Sequence, residues 1–285
     1  MMEAWNGPAP EDCRILTRLR LEEGPTGRGS PIAPGVGVVV DVETTGLNLV
    51  EDVIIELAMR RFRYDERGQI TAIGRRWCWL EDPGRPISRE IAKLTGLNDA
   101  MLAGERIDER AAVGILGSAS LVVAHNASFD RPRVEARLPA ARGFAWACSC
   151  NEVDWRELGF DGRSLGYLLM QIGHFNGAHR ASDDVDSTIA LLAHELPSGG
   201  TVLEQLVSRS FEESWMVRAF GAPFDAKDVL RARGYRWDAE RKVWWREVAD
   251  RDAEEAWLTA HVYANASTIA SDPLFERVTN RERWA

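Results

Sequence analysis

The first apolar block of the chain is a short unbroken run, Val36-Gly37-Val38-Val39-Val40, that stops at Asp41. A β-branched run with no alternating polar positions predicts a central strand buried on both faces. Two longer strand-like stretches follow, Val53 to Tyr64 and Gln69 to Leu80, and the turn residues Asp65-Glu66-Arg67-Gly68 between them predict a hairpin. The period then lengthens to that of a helix over Ser88–Leu94 and Asp108–Leu116. Leu121-Val122-Val123-Ala124 reads as another buried strand, Ser128–Leu138 as a helix and Phe144–Cys148 as a fifth strand. Helices are expected at Ser164–Ile172 and Ser182–Leu196. A leading meander followed by β-α-β units predicts an α/β domain: a mixed five-stranded sheet with flanking helices.

Punctuation divides the rest. Residues 1–34 are rich in Pro and Gly around one apolar-basic stretch, Ile15-Leu16-Thr17-Arg18-Leu19, and read as an N-terminal arm or docking segment. The sheet-and-helix pattern fills 35–200 and ends at Pro197-Ser198-Gly199-Gly200. A small α+β module of helix plus hairpin is expected at 211–250, followed by a closing helix (Asp252–Ala264) and tail within 251–285. Within 217–250 eight Lys/Arg oppose six Asp/Glu, with Tyr235, Trp237, Trp244 and Trp245 interspersed. Such a surface suits single-stranded nucleic acid, where bases stack and phosphates pair. The same tryptophans would equally serve as the miniature core that so small a unit needs. Both readings stay open.

The formal charge of −9 argues against a protein that coats a long duplex. It is compatible with gripping a chain end through bound metal ions, which supply positive potential locally. No apolar run approaches the length of a membrane span, and residues 1–10 lack a basic start followed by an apolar core. The four cysteines are too few and scattered for a disulfide framework, so a reducing, cytoplasmic setting is expected. Cys148 and Cys150 read as packing residues, and His174 and His194 as structural.

Chemistry gathers at three places. Asp41 and Glu43 lie two apart at a strand end and project together. His125-Asn126-Ala127-Ser128-Phe129-Asp130 sits where a second buried strand hands over to a helix, and His179-Arg180-Ala181-Ser182-Asp183-Asp184 enters an apolar-faced helix. On that helix Val185, Ile189 and Leu192 make one apolar stripe, which Asp184 flanks, whereas Asp183 lies nearly opposite it. Asp186 flanks the stripe on its other side and reads as solvated. His125 reads either as a group behind the site or as a strand-end histidine. Clustered carboxylates are unfavourable without a cation. Hard oxygen ligands favour Mg2+ or Mn2+, and two such ions about 3.5–4 Å apart serve in-line phosphoryl displacement.

These clusters resemble the three motifs of the DEDDh exonucleases, a family that includes proofreading epsilon subunits, RNase T and oligoribonucleases. Asp41 to Leu47 is similar to its Asp-x-Glu-Thr-Thr-Gly-Leu motif, Asn126 to Asp130 to Asn-x-x-Phe-Asp, and His179 with Asp184 to His-x4-Asp. Leu94-Thr95-Gly96-Leu97 resembles a further segment between the first two motifs. The resemblance implies an RNase H-like fold and metal-dependent 3′-to-5′ hydrolysis releasing nucleoside 5′-monophosphates. It implies Asp41, Glu43, Asp130 and Asp184 as ligands of two ions and His179 as general base. Thr44, Thr45, Gly46 and Leu47 would cradle the terminal nucleotide, with Asn126 and Phe129 bracing the motif or flanking the substrate. Single-stranded DNA is the favoured substrate. The alternatives are an exoribonuclease acting on RNA ends, or a non-catalytic nucleic-acid-binding scaffold of the same fold. A trimming or proofreading subunit whose N-terminal arm docks a larger DNA-processing complex is a further expectation.

Overall fold

The computed structural model describes residues 14–32, 35–177, 180–264 and 272–284. The chain separates into two compact units, one running to Ser210 and taking in Trp284, the other Phe211–Arg283. In chain order the first unit contains β1 (Thr17–Arg18), β2 (Gly24–Pro25), β3 (Gly35–Thr44), β4 (Ile54–Tyr64), β5 (Ile70–Leu80), α1 (Arg89–Thr95), α2 (Asp99–Leu102) and α3 (Glu109–Gly117). It continues with β6 (Leu121–Ala124), α4 (Ala127–Arg137), β7 (Trp146–Cys148), α5 (Leu165–Gln171), β8 (His174–Phe175), α6 (Ala181–Leu192) and α7 (Val202–Phe211).

The main sheet has the order β2-β5-β4-β3-β6-β7. Strands β3, β4 and β5 form an antiparallel meander, and β6 and β7 run parallel to β3. This is the expected mixed α/β sheet, with a sixth strand beside the five. The addition is β2, whose Gly24–Pro25 pairs with Ile73 and Ala72 of β5. Two residues of Gly and Pro carry no strand pattern, so the N-terminal segment gave no sign of it. Farther upstream, β1 pairs in parallel with β8.

Alternation along the central strands assigns the two faces. Val39 of β3, Ala58 and Phe62 of β4, and Leu121 and Val123 of β6 pack with Val185, Ile189 and Leu192 of α6 and with α5 and α7. Val38, Val40 and Val42 of β3, with Leu57 and Met59 of β4, face Ala112 and Leu116 of α3 and Val134 of α4. Burial of β3 on both faces explains its unbroken valine run. Helix starts follow from their capping residues: Ser88, Asn98 and Asp108 each accept a hydrogen bond from the backbone amide three residues on.

Asp186 departs from the solvated position expected for it. Its carboxylate binds the Arg60 guanidinium at 2.7 Å and Arg76 at 3.1 Å, and the Arg60 and Asp186 side chains are only 6% and 14% exposed. Arg60 lies on the β4 row that faces α6, so an acid flanking the apolar stripe meets it directly. The sequence pattern located the flank but not the cation opposite.

The second unit holds β9 (Ser214–Ala219), α8 (Lys227–Arg233), β10 (Arg236–Asp238), β11 (Val243–Val248), α9 (Arg251–Leu258) and β12 (Leu274–Val278). Its four strands form an antiparallel sheet of order β10-β11-β9-β12. The expected helix and hairpin are α8 and β10–β11. Strands β9 and β12 enlarge the module, the latter from beyond residue 250. Among the described residues no helix is long and apolar enough to cross a membrane.

Removing one partner of a buried ion pair strands the other charge. Asp186→Ala is expected to destabilise the first unit by about 3 kcal/mol, read as a lower urea midpoint. A change under about 0.5 kcal/mol, typical of exposed positions, would show that Arg60 does not depend on this acid.

Candidate active site

The site follows from the parity of β3. Val39 points toward α6, so Asp41 and Glu43, two and four residues on, point the same way. Pairing with β4 keeps its register through Glu43 and shifts only between Glu43 and Thr44. Above them, Asp184 projects from the first turn of α6. One carboxylate oxygen from each of Asp41, Glu43 and Asp184 lies within 4.8 Å of the others. Asn176 steadies Asp184 through an Nδ2 hydrogen bond of 3.3 Å to its Oδ1.

Asp130 arrives from the opposite layer. It sits on α4, is buried, and its Oδ1 accepts the backbone amide of Val42 at 3.1 Å. Valine 42 faces α4 just where its neighbours Asp41 and Glu43 face α6. The strand end is thereby bracketed by carboxylates from both layers. Asp130 is outside the group of three convergent oxygens, yet its charge acts on Asp41.

Burial and mutual repulsion show in the protonation behaviour. Desolvation, then the charges of Asp130, Asp184 and Glu43, hold the Asp41 carboxyl well above its usual range. Glu43 is pushed up to about 7, by burial first and then by Asp184 and Glu56. Asp130 is also raised to about 7, chiefly by burial, against the lowering effect of the Val42 amide. Hard oxygen donors that repel one another at neutral pH are suited to a divalent cation, which removes the repulsion by binding. Asp41, Glu43 and Asp184 have the convergence to hold such an ion.

The turn after the strand is tied by its own side chains. Thr44 donates to the Gly46 carbonyl at 2.6 Å, and Thr45 donates to Asp52 Oδ1 at 2.8 Å. A Cβ on Gly46 would overlap the Asp52 carboxylate and displace it from Thr45 and the Asn48 amide. Leu47 is 84% exposed. Its carbonyl accepts from Arg133, whose guanidinium lies 3.6 Å from the centre of the Phe129 ring. Arg133 thus links the Phe129 ring to the backbone of the turn. Asn126 begins α4 without capping it; its Oδ1 accepts from Ser128. His179 lies outside the described residues.

His125 is buried, with Nδ1 2.9 Å from the Ser149 hydroxyl and Nε2 2.8 Å from the Arg163 carbonyl. Burial drops its pKa to about 4, leaving it neutral. It is a structural histidine. Cys148 is buried in the α4-side core, and Cys150 packs against that core.

Glu56 escaped the sequence reading. It lies opposite Glu43 on β4, is fully buried, and binds Arg180 at 3.0 Å. It also accepts the backbone amide of Ala181 at 3.2 Å, serving the start of α6, which has no side-chain cap of its own. The signal was present as one acid inside the run Ile54-Ile55-Glu56-Leu57-Ala58-Met59. A buried charge there demands a partner.

Comparison with known proteins places this geometry in context. The sequence model of the RNase T family, described as Exonuclease, matches residues 38–192, just over half of the chain. A "DNA polymerase III PolC-type" protein of Halalkalibacterium halodurans is 41% identical over 103 residues, covering 35% of this chain and 7% of that protein. A protein of the same description from Bacillus subtilis is 41% identical over 95 residues, covering 33% of this chain and 6% of that protein. The chain therefore spans only a small fraction of the length of these curated relatives. The solved structure "Exonuclease X in complex with 5′ overhanging duplex DNA" is 27% identical with a TM-score of 0.43, covering 55% of this chain and 89% of that one. Another, "crystal structure of full-length 3′-exonuclease", is 14% identical with a TM-score of 0.45, covering 58% and 62%.

An acid whose folded pKa is raised weakens the fold as pH climbs from its unfolded value to its folded one. For Glu43 that window runs from 4.5 to about 7. Without divalent ions, Glu43→Gln should be more stable than the parent at pH 8, by about 1–3 kcal/mol. The gain should fade as pH falls through 7 toward 4.5. Mn2+ should raise the parent's unfolding temperature more at pH 8 than at pH 5. Equal stability of the two proteins at pH 8 would mean that Glu43 bears no such strain.

Proposed function

The chain belongs to the DEDDh exonucleases of the RNase H-like superfamily, matched over residues 38–192, and on that premise we propose that it shortens DNA strands from the 3′ end, releasing nucleoside 5′-monophosphates. The observation that carries the proposal is the convergence of Asp41, Glu43 and Asp184 at one strand end, with Asp130 bound to the same strand from behind. Description of the similar Halalkalibacterium and Bacillus proteins as DNA polymerases favours DNA over RNA. A role beside a larger DNA-processing assembly draws support from the same likeness.

Asp41, Glu43, Asp130 and Asp184 are the proposed ligands of two divalent cations, Mg2+ or Mn2+. When bound, such ions supply Lewis acidity at the scissile phosphate and neutralise the charge that accumulates there. The turn Thr44-Thr45-Gly46-Leu47 takes the terminal nucleotide, and its internal hydrogen bonds fix its backbone before substrate arrives. Asn126 and Phe129 flank the strand. His179 accepts the proton of the attacking water. The water oxygen bonds to phosphorus, the P–O3′ bond breaks, and the 3′ oxygen leaves with the shortened strand. A base that titrates near neutrality suits this proton transfer. A single strand is the preferred form, because a turn that encloses one terminal sugar leaves a paired end to be opened first.

Incubation with a 5′-labelled strand tests the reading. Asp41→Ala and Asp184→Ala should each slow shortening at least about 1,000-fold, and chelation of divalent ions should abolish it. His179→Ala should slow it about 100- to 10,000-fold while keeping the Mn2+-dependent rise in unfolding temperature. Full activity in Asp41→Ala would overturn the assignment. Equal turnover of RNA and DNA strands of one sequence would replace the DNA preference with the exoribonuclease alternative.

A further inference from the structure

The core of the second unit closes without several of its large aromatic side chains, Phe224 and Trp237 among them. Val217, Ala219, Leu230, Tyr235, Val248 and Leu258 are buried together, with Trp215, Trp244 and Trp257 packed against them. Phe224 and Trp237 stand outside, 78% and 51% exposed. Tyr235, two residues before Trp237, shows the opposite fate: it is buried, and its hydroxyl donates to Glu254. Folding therefore accounts for Tyr235 and leaves Trp237 unexplained.

The exposed rings belong to a continuous line of aromatic and cationic groups. The Lys227 ammonium lies 4.3 Å from the centre of the Phe224 ring. Lys227 and Arg231 are one turn apart on the same side of α8. The Arg231 guanidinium lies 5.9 Å from the centre of Trp244, and Trp244 pairs across β10–β11 with Trp237, ring centres 5.5 Å apart. Arg231 also pairs with Asp228 at 3.3 Å, but both side chains are about 70% exposed. An exposed pair contributes little and exchanges readily for another anion. Among the described residues Lys227 makes no ion pair.

We propose that Phe224, Lys227, Arg231, Trp244 and Trp237 form a binding strip for single-stranded nucleic acid, separate from the hydrolytic site. Phe224 and Trp237 are platforms for unstacked bases, and Lys227 and Arg231 between them pair with the intervening phosphates. Rings at the two ends with cations between them match bases joined by phosphates along one strand. A duplex hides the base faces and presents phosphates alone, so the strip discriminates against it. The proposal goes beyond the exonuclease reading and does not depend on it. Covalent linkage alone raises the concentration of strand ends available to the hydrolytic unit.

A circular single-stranded DNA has no 3′ end and isolates this strip from the active site. Binding of the full chain to a fluorescent circle is measured by anisotropy in chelator, so that nothing is cleaved. Trp237→Ala and Phe224→Ala should each weaken binding about 5- to 100-fold. Lys227→Ala combined with Arg231→Ala should lower the slope of log affinity against log salt by about 1.4. The pair lies on an exposed helix face and gives a second readout should an aromatic variant fold poorly. Hydrolysis of a trinucleotide with divalent metal should remain at the parental rate in all of them. Parental affinity for the circle in Trp237→Ala and in the double variant, or equal affinity for nicked duplex circles, overturns the strip. Circle binding by a chain that hydrolyses nothing would overturn the exonuclease reading and leave the strip standing.

Discussion

Asp41, Glu43 and Asp184 are kept close by elements that cannot move apart without opening the core. Asp41 and Glu43 extend the row of Val39, which is sealed against α6, and Asp184 leaves α6 one residue before the buried Val185. The repulsion is partly answered by the N-terminal end of α6, where the helix dipole favours acids in the first turn. The remainder is held by apolar packing. A site of this kind is loaded before any ligand arrives, and a bound cation would relax it.

What fixes the rotation of α6 is a second set of charges on β4. Its α6-facing row reads Glu56, Ala58, Arg60, Phe62: two ions alternating with two apolar side chains. Glu56 takes Arg180 and the Ala181 amide at the start of the helix; Arg60 takes Asp186 about a turn and a half later. The apolar members meet Val185 and Ile189. A helix turned by one residue, about 100°, would bury Asp184 or Asp186 against hydrocarbon. Both buried pairs thus specify which acid reaches the site, whatever their small net effect on stability.

Parity and spacing made much of this legible. Two acids two apart at the end of a valine run must share a face, and a stripe of Val185, Ile189 and Leu192 singles out Asp184 over Asp183. Both inferences use only the local period. What the sequence concealed is nonlocal. That Asp186 is ion-paired depends on Arg60, 126 residues away, and that β2 joins the sheet depends on backbone pairing indifferent to side chains. Arg133 is similar: an arginine on a helix reads as solvated until the Leu47 carbonyl is brought beside it. Glu56 was the exception. Its apolar surroundings announced a buried charge, although its partner was not nearby in sequence.

The second unit shows why composition alone left two roles open for its aromatics. A sheet of four short strands has little apolar surface, so tryptophan is needed to close it, and a strand-binding surface needs the same residue type. Strand register separates them. Trp237 and Trp244 are directly paired on one face, but β11 has β9 beside it whereas β10 ends the sheet. Trp244 therefore gains neighbours on both sides and packs against the core. Trp237 gains them on one and is left half in water. Position in the sheet, not residue type, divides core from surface.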